Sequence, residues 1–343
     1  MNRSISIGLA GFGNIGRRLL RRLLSERDYI SKRYGLEISV VFIADSKGVV
    51  YGEPVIKPDT LVKALKTSRG MISSLPGGVP GDSIIDAVER SQPDILVDTL
   101  PGNYTDAEPS YSAFMHVLKQ GGIVVTSNKA PLALRFSDFS SFIRGRGLPR
   151  LFFKTCVMSG APIVDILEYS LLVQRLKRFV GILNMTSNYI LELLENGLSL
   201  DRAVAMAKDE GIAEPDPSFD LNGTDIAAKA AILYSLVFSP ISIREVTILD
   251  TINEATAERI TSVRKQGLKI KYVAEFTDST KPVVKLDVVN AENPLYSISK
   301  TSNAALLELD SGQRLFIRID YLSPEYTASA LLSDVVLAGV LHR

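Results

Sequence analysis

The sequence predicts an α/β chain, a doubly wound parallel sheet followed by a second, mixed α/β domain. Three observations carry that prediction. A glycine turn, Gly11-Phe12-Gly13-Asn14-Ile15-Gly16, stands between a strand-like apolar run and a leucine-striped helix. Short apolar runs then alternate with helical segments, as parallel strands joined by crossover helices must. Past about Pro149 the pattern changes to β-rich runs of mixed spacing, so the architecture changes with it.

The elements follow in order. Residues 4–10 read as the first strand, the glycine turn follows, and the helix runs to Leu24. The second strand, 38–44, ends at Asp45. From Asp45 to Asp82 lies a Gly/Ser/Pro-rich stretch with one short helix near 60–66, which reads as a long functional or mobile loop. Helices are expected over 82–90 and 109–120, the latter stopped by Gly121-Gly122. Strands are expected over 94–99, ending at Leu100-Pro101-Gly102-Asn103, and over 123–126, ending at Ser127-Asn128-Lys129. In the second domain, 151–157 reads as a strand, 163–172 as a helix, and 178–183, 282–289 and 314–320 as strands. Residues 226–243 are apolar, but Lys229, Ser235 and Pro240 suit a buried helix better than a membrane span. The last apolar segment, 327–341, has helical spacing and is expected to pack back on the first domain. The division is therefore 1–160 with 326–343 returning to it, and 161–325.

Composition bounds the function. The chain has 343 residues, 46% of them hydrophobic, ample for two cores. Its 39 Lys and Arg balance 38 Asp and Glu, so no field draws it to nucleic acid or to an anionic membrane, and small molecules are the expected partners. One cysteine and two histidines exclude a disulfide framework and the common zinc sites, and no metal is expected. The N-terminus has no signal-peptide pattern, and the expected location is cytoplasmic.

The strand, glycine turn and helix together point to a dinucleotide. Gly11 allows the tight turn, Gly13 lets a pyrophosphate approach the backbone, and Gly16 lets helix and strand pack closely. Asp45 is placed to accept hydrogen bonds from ribose hydroxyls and to repel a 2′-phosphate, which favours NAD over NADP; Ser46 and Lys47 beside it are placed to bind that phosphate instead. Arg17, Arg18, Arg21 and Arg22 read as the solvated face of the helix.

The segment from Asp209 to Lys229 holds the strongest chemical signal. Glu214, Asp216, Asp220 and Asp225 gather ahead of a helix in which Asp225 and Lys229 stand four residues apart and share a face. Lys229 is the single charge between residues 226 and 243. A lysine in so apolar a helix must pair with a carboxylate or shift its pKa, in a catalytic site or in a purely structural ion pair.

Four features in order resemble the homoserine dehydrogenases: the turn Gly11 to Gly16, Thr126-Ser127-Asn128-Lys129, the run from Gly181 to Leu191, and the run from Ala213 to Lys229. The resemblance spans nearly the whole chain. It implies a Rossmann domain joined to a mixed α/β substrate and dimerisation domain, without an aspartokinase or ACT domain. It further implies NAD(P)-dependent interconversion of L-homoserine and L-aspartate 4-semialdehyde in amino-acid biosynthesis towards threonine and methionine, and a homodimer. Carried over by motif, Lys129 and Lys229 act at the reacting oxygen; Glu214, Asp220, Asp225 and Thr186 hold the substrate; Gly11, Phe12, Gly13, Asn14, Ile15, Gly16, Asp45, Ser46, Thr99 and Lys129 hold the cofactor, NAD or NADP. Hydride transfer to an aldehyde puts negative charge on oxygen, which a lysine ammonium stabilises.

The chain departs from the family pattern in four places. Val157-Met158-Ser159-Gly160-Ala161-Pro162 keeps only Gly160 and Pro162 of a glycine-rich turn, Met185 replaces a glycine, and residues 321–326 replace a glycine-rich loop. The glutamate that helps bind a monovalent cation in some members corresponds to Lys154, so the metal site is not carried over. These changes leave a second reading, a nucleotide-binding relative with altered substrate or lost catalysis. Cys156 raises a third, thiolate attack on an aldehyde; only His116 and His342 are available to activate it, and a cysteine in an apolar strand is ordinarily a core residue.

Overall fold

The computed structural model describes residues 2–145, 147–320 and 323–342, and the chain divides into two compact units, Met1–Gly160 with Ser323–Arg343, and Ala161–Leu322. In chain order the first unit holds β1 (Arg3–Ala10), α1 (Asn14–Tyr34), β2 (Leu36–Asp45), β3 (Gly48–Tyr51), α2 (Pro58–Lys66), β4 (Gly78–Pro80), α3 (Ile84–Ser91), β5 (Ile95–Asp98), α4 (Ser110–Lys119), β6 (Ile123–Thr126), α5 (Lys129–Ile143) and β7 (Leu151–Phe152). The second holds α6 (Ile163–Asp165), β8 (Leu176–Ile182), α7 (Met185–Glu195), α8 (Leu200–Asp209), α9 (Ser218–Leu221), α10 (Thr224–Val237), β9 (Thr247–Ile248), α11 (Glu254–Arg264), β10 (Lys269–Thr277), β11 (Val283–Val289), β12 (Asn303–Leu309) and β13 (Arg314–Ile319). The last helix, α12 (Pro324–Leu341), belongs to the first unit.

The first sheet has the order β4-β3-β2-β1-β5-β6-β7. Strands β2, β1, β5, β6 and β7 run parallel, which requires the intervening helices to cross over the faces. The chain leaves β1 for β2 on one side and later returns to β5 on the other, so the crevice for a ligand lies beyond the ends of β1 and β5. Alternate residues of β1, Ile5, Ile7 and Leu9, share a core with Leu19, Leu20 and Leu23 of α1 and with Leu331 and Val335 of α12.

Three expectations change here. The first helix, expected to run to Leu24, continues to Tyr34 and is ended by Gly35 in the left-handed region. The stretch from Asp45 to Asp82 is not a bare loop: β3 turns back antiparallel on β2 and β4 pairs with β3, so the parallel sheet carries an antiparallel edge. The strand expected over 151–157 stops at Phe152. Thr155 Oγ1 and Cys156 Sγ both donate to the Thr126 carbonyl, at 2.8 and 3.5 Å, and this draws the chain out of the sheet into tight turns.

The second sheet has the order β13-β12-β8-β10-β11-β9 and is antiparallel except where β9 joins β11. Phe179 of β8 and Phe276 of β10 stack at 4.7 Å, and Tyr234 of α10 meets Phe276 edge-on, which seats α10 on that face. The sequence reading passed over β10 and β12; the Ala/Leu-rich Asn303–Leu309 is a strand because it pairs on both sides, tertiary pairing overriding its composition. Among the described residues no helix is long and apolar enough to cross a membrane.

Candidate active site

The glycine turn is built as the motif requires. Gly11 has φ 88°, its N–H donates to the Ala44 carbonyl at 3.0 Å, and its own carbonyl accepts Thr99 Oγ1 at 2.7 Å. Thr99 therefore shapes the turn through its side chain. A methyl at Gly16 would overlap the Gly11 carbonyl oxygen, whereas one at Gly13 would meet no atom within 4 Å. The N-terminus of α1 has no side-chain cap and no acidic residue in its first turn, so its amides face a site suited to phosphate. Phe12 is buried beneath the Arg17 guanidinium, 4.6 Å from its ring centroid; Asn14 accepts from Arg18 Nε; Ile15 packs against the core. Arg17 is thus half-buried rather than fully solvated. It donates to the Ala64 and Leu65 carbonyls, and burial and the field of Arg69 lower its pKa while Asp45 opposes them.

A cavity of about 340 Å³ opens at the strand ends, lined by Gly11, Asp45, Ser46, Lys47, Ser83 and Leu100 among others. One Asp45 oxygen accepts the Lys47 N–H at 2.9 Å and the other the Ile72 N–H at 3.0 Å, which fixes the carboxylate at the wall of the cavity. An apolar groove of about 420 Å³ between α1 and α12 contains none of the expected site residues.

At the ends of β5 and β6 lies a buried polar network that sequence reasoning missed. Asp98 accepts the Leu100 N–H at 2.9 Å and the Thr126 hydroxyl at 3.4 Å, and burial pushes its pKa up to about 6 against these hydrogen bonds. Asn128 donates to Ser110 and accepts the Ala130 N–H, capping α5. Lys129, half-buried, is the first residue of that helix, and the network fixes the turn from which it projects. The signal available for Asp98 was its place as the last residue of a strand, where ligands gather.

The acidic cluster of the second unit centres on Lys229. Its Nζ donates to Asp225 Oδ2 at 2.5 Å and to the Leu183 carbonyl at 2.6 Å, with 11% of the lysine side chain and 14% of the aspartate side chain exposed. An ammonium has three N–H donors, and these two bonds leave one. Asn184, also missed as a site residue, gives one amide hydrogen to Asp220 Oδ1 at 2.6 Å and the other to Asp225 Oδ2 at 2.8 Å, while its carbonyl oxygen caps α7. Its signal was its position immediately before the helix that carries Thr186. Burial and the nearby Asp225 charge raise the pKa of Asp220, Asn184 and Lys229 opposing. Glu214 is exposed yet adds to the same negative field. Thr186 donates to the Ile212 carbonyl at 3.2 Å and ties the loop that bears Glu214 to α7. Asp216 is exposed, accepts the Ser218 N–H and belongs to a local turn rather than to the cluster.

Cys156 is buried and its thiol donates to the Thr126 carbonyl, while His342 is engaged with the Pro149 carbonyl and His116 lies beside Glu89. Met158 is buried and Met185 opens α7; Tyr321 and Leu322 lie outside the described residues.

Comparison with known proteins agrees on one family. The family model described as homoserine dehydrogenase matches residues 162–336. The homoserine dehydrogenase of Methanocaldococcus jannaschii is 32% identical over 97% of this chain and 98% of its own. The NAD(+)-dependent homoserine dehydrogenase of Pseudomonas canavaninivorans is 28% identical over 96% and 95%. Among solved structures, a hyperthermophilic archaeal homoserine dehydrogenase in complex with NADPH superposes with a TM-score of 0.79 at 27% identity, covering 98% of each chain.

Proposed function

The chain belongs to the homoserine dehydrogenase family, and from that premise we propose that it interconverts L-homoserine and L-aspartate 4-semialdehyde with a nicotinamide dinucleotide, NAD being preferred. The observation that carries the reading is the Lys229 ammonium, held by Asp225 and the Leu183 carbonyl with one donor left over. The bound dinucleotide supplies or takes up the hydride.

The remaining work falls to side chains and amides of this chain. The first-turn amides of α1 receive the pyrophosphate, and Asp45, fixed by two backbone N–H groups, accepts the ribose hydroxyls. Its fixed negative charge at the cavity wall supports the preference for NAD, while Arg17 and Lys47 nearby keep a 2′-phosphate from being excluded outright. Asp220, Asp225 and Glu214 against the single Lys229 leave a net negative cluster, which suits the ammonium of an amino-acid substrate. Lys229 gives its third N–H to the substrate oxygen, stabilises the negative charge that develops there during reduction, and supplies the proton that completes the hydroxyl. Lys129 is kept as a second cation for that oxygen on the strength of the motif. Cytoplasmic residence and a homodimer belong to the same reading, and light scattering after size exclusion tests the latter.

Purified protein supplied with L-homoserine and either NAD or NADP, followed at the nicotinamide absorbance, tests the proposal. Turnover is expected with both, with kcat/KM about tenfold higher for NAD, equivalent to about 1.4 kcal/mol. No turnover with either dinucleotide overturns the activity, and a higher value with NADP overturns the preference.

A further inference from the structure

The loop after β7 is built around a charge that the rest of the site does not use. Met158, Ser159 and Gly160 have φ values of 48°, 54° and 97°, three successive residues in the left-handed region, two of them not glycine. Such a run persists only where its surroundings over-determine it. Thr155 Oγ1 anchors one side to the Thr126 carbonyl. On the other side the absent side chain of Gly160 admits Ala330 of α12 against the backbone. The Tyr326 hydroxyl donates to the Gly160 carbonyl at 3.5 Å, and an ion pair adds electrostatic support: Lys154 Nζ lies 2.8 Å from Asp334 Oδ1 of α12, with side chains 11% and 2% exposed. The Lys154 carbonyl accepts the Val157 N–H at 3.2 Å, so the residue that carries the charge also closes the turn immediately before the left-handed run.

We propose that Lys154 is a built-in cation, its ammonium standing permanently where relatives with a glutamate at this place use a monovalent metal ion, and that dinucleotide binding is consequently independent of sodium and potassium. The donor set supports this. A buried carboxylate requires a counter-charge. A glutamate at position 154 would set a second carboxylate beside Asp334 and create a demand for a metal cation; the lysine cancels Asp334 and repels one. The residues present therefore do not fit a metal ion. The loop follows the carboxyl end of a parallel strand, the end of the sheet where the dinucleotide binds, so its collapse would be felt there. Lys154 and Asp334 are positioning residues, and the proposal rests on the dehydrogenase reading for its kinetic arm only.

The test compares sodium, potassium and choline chlorides at equal ionic strength. Wild-type KM for the dinucleotide and Tm are expected to agree across the three salts, within about twofold and about 1 °C. In choline, Lys154→Glu is expected to raise that KM at least about tenfold, with sodium or potassium restoring it and raising Tm by about 3 °C or more. A wild-type protein whose Tm rises specifically with sodium or potassium overturns the proposal, as does a Lys154→Glu protein indifferent to both ions in both readouts. Should Lys154→Glu fail to fold, Lys154→Met removes the ammonium beside Asp334 and is read in the same way. The melting arm needs no turnover, so it remains decisive even if L-homoserine is not the substrate.

Discussion

Lys229 and Asp225, one helical turn apart on α10, meet at 2.5 Å, and the same carboxylate oxygen also accepts an amide hydrogen of Asn184. This fixes the ammonium through two of its three N–H donors. Replacing Lys229 by alanine should lower kcat by about 10² to 10⁴-fold and leave dinucleotide affinity within about twofold, because the role proposed for it is at the reacting oxygen. Stopped-flow or steady-state kinetics beside a fluorescence titration of the dinucleotide separates the two; near-normal kcat would refute the assignment.

Asn184 keeps two carboxylates side by side. In Asn184→Ala, Asp220 and Asp225 lose their shared donor and repel each other, so the substrate KM should rise about tenfold or more while Lys229 still provides most of kcat. A fall in kcat with unchanged KM would show instead that Asn184 acts on the lysine.

Gly16 has no room for a methyl group against the Gly11 carbonyl. The variant Gly16→Ala should cost about 1 to 3 kcal/mol of stability and weaken dinucleotide binding at least about tenfold. Chemical denaturation and calorimetric titration measure both, and unchanged affinity would sink the close-packing argument.

Asp98 gives a pH dependence whose sign is fixed by its burial. Its pKa in the folded chain is pushed up to about 6, so the folded state holds a proton that the unfolded chain has already released. The contribution is therefore present below the unfolded aspartate pKa of about 3.9 and lost as pH rises through about 6, worth on the order of 2 to 3 kcal/mol. Asp98→Asn should flatten that slope in urea melts across the window; an unaltered slope would place the titration elsewhere.

Much of this arrangement is legible in the sequence because it is local. The Gly11–Gly16 turn and the i,i+4 pair Asp225–Lys229 each depend on residues close in the chain, so spacing alone discloses them. Asn184 and Asp98 were not legible as site residues, since their partners come from other elements: Asp220 and Asp225 for one, Thr126 for the other. The same limit explains β3 and β4, short strands whose only justification is the edge they pair with, and β12, whose alanines and leucines carry no strand signal of their own. Arg17 shows a further limit, since the amphipathic pattern turns it outward but carries no sign of its contacts with α2 and the Phe12 ring, which leave it half-buried.

The return of α12 to the first unit has a consequence for synthesis on the ribosome. Leu331, Val335 and Ala338 share a core with Ile5, Ile7 and Leu9, more than three hundred residues earlier in the chain. The nucleotide-binding unit therefore cannot close that core while it is being made. Its oldest strand waits, part of its apolar surface uncovered, until α12 has emerged, and the second unit can fold in the interval. Nascent chains stalled before Pro324 should consequently remain dependent on chaperones in a way that the released protein is not.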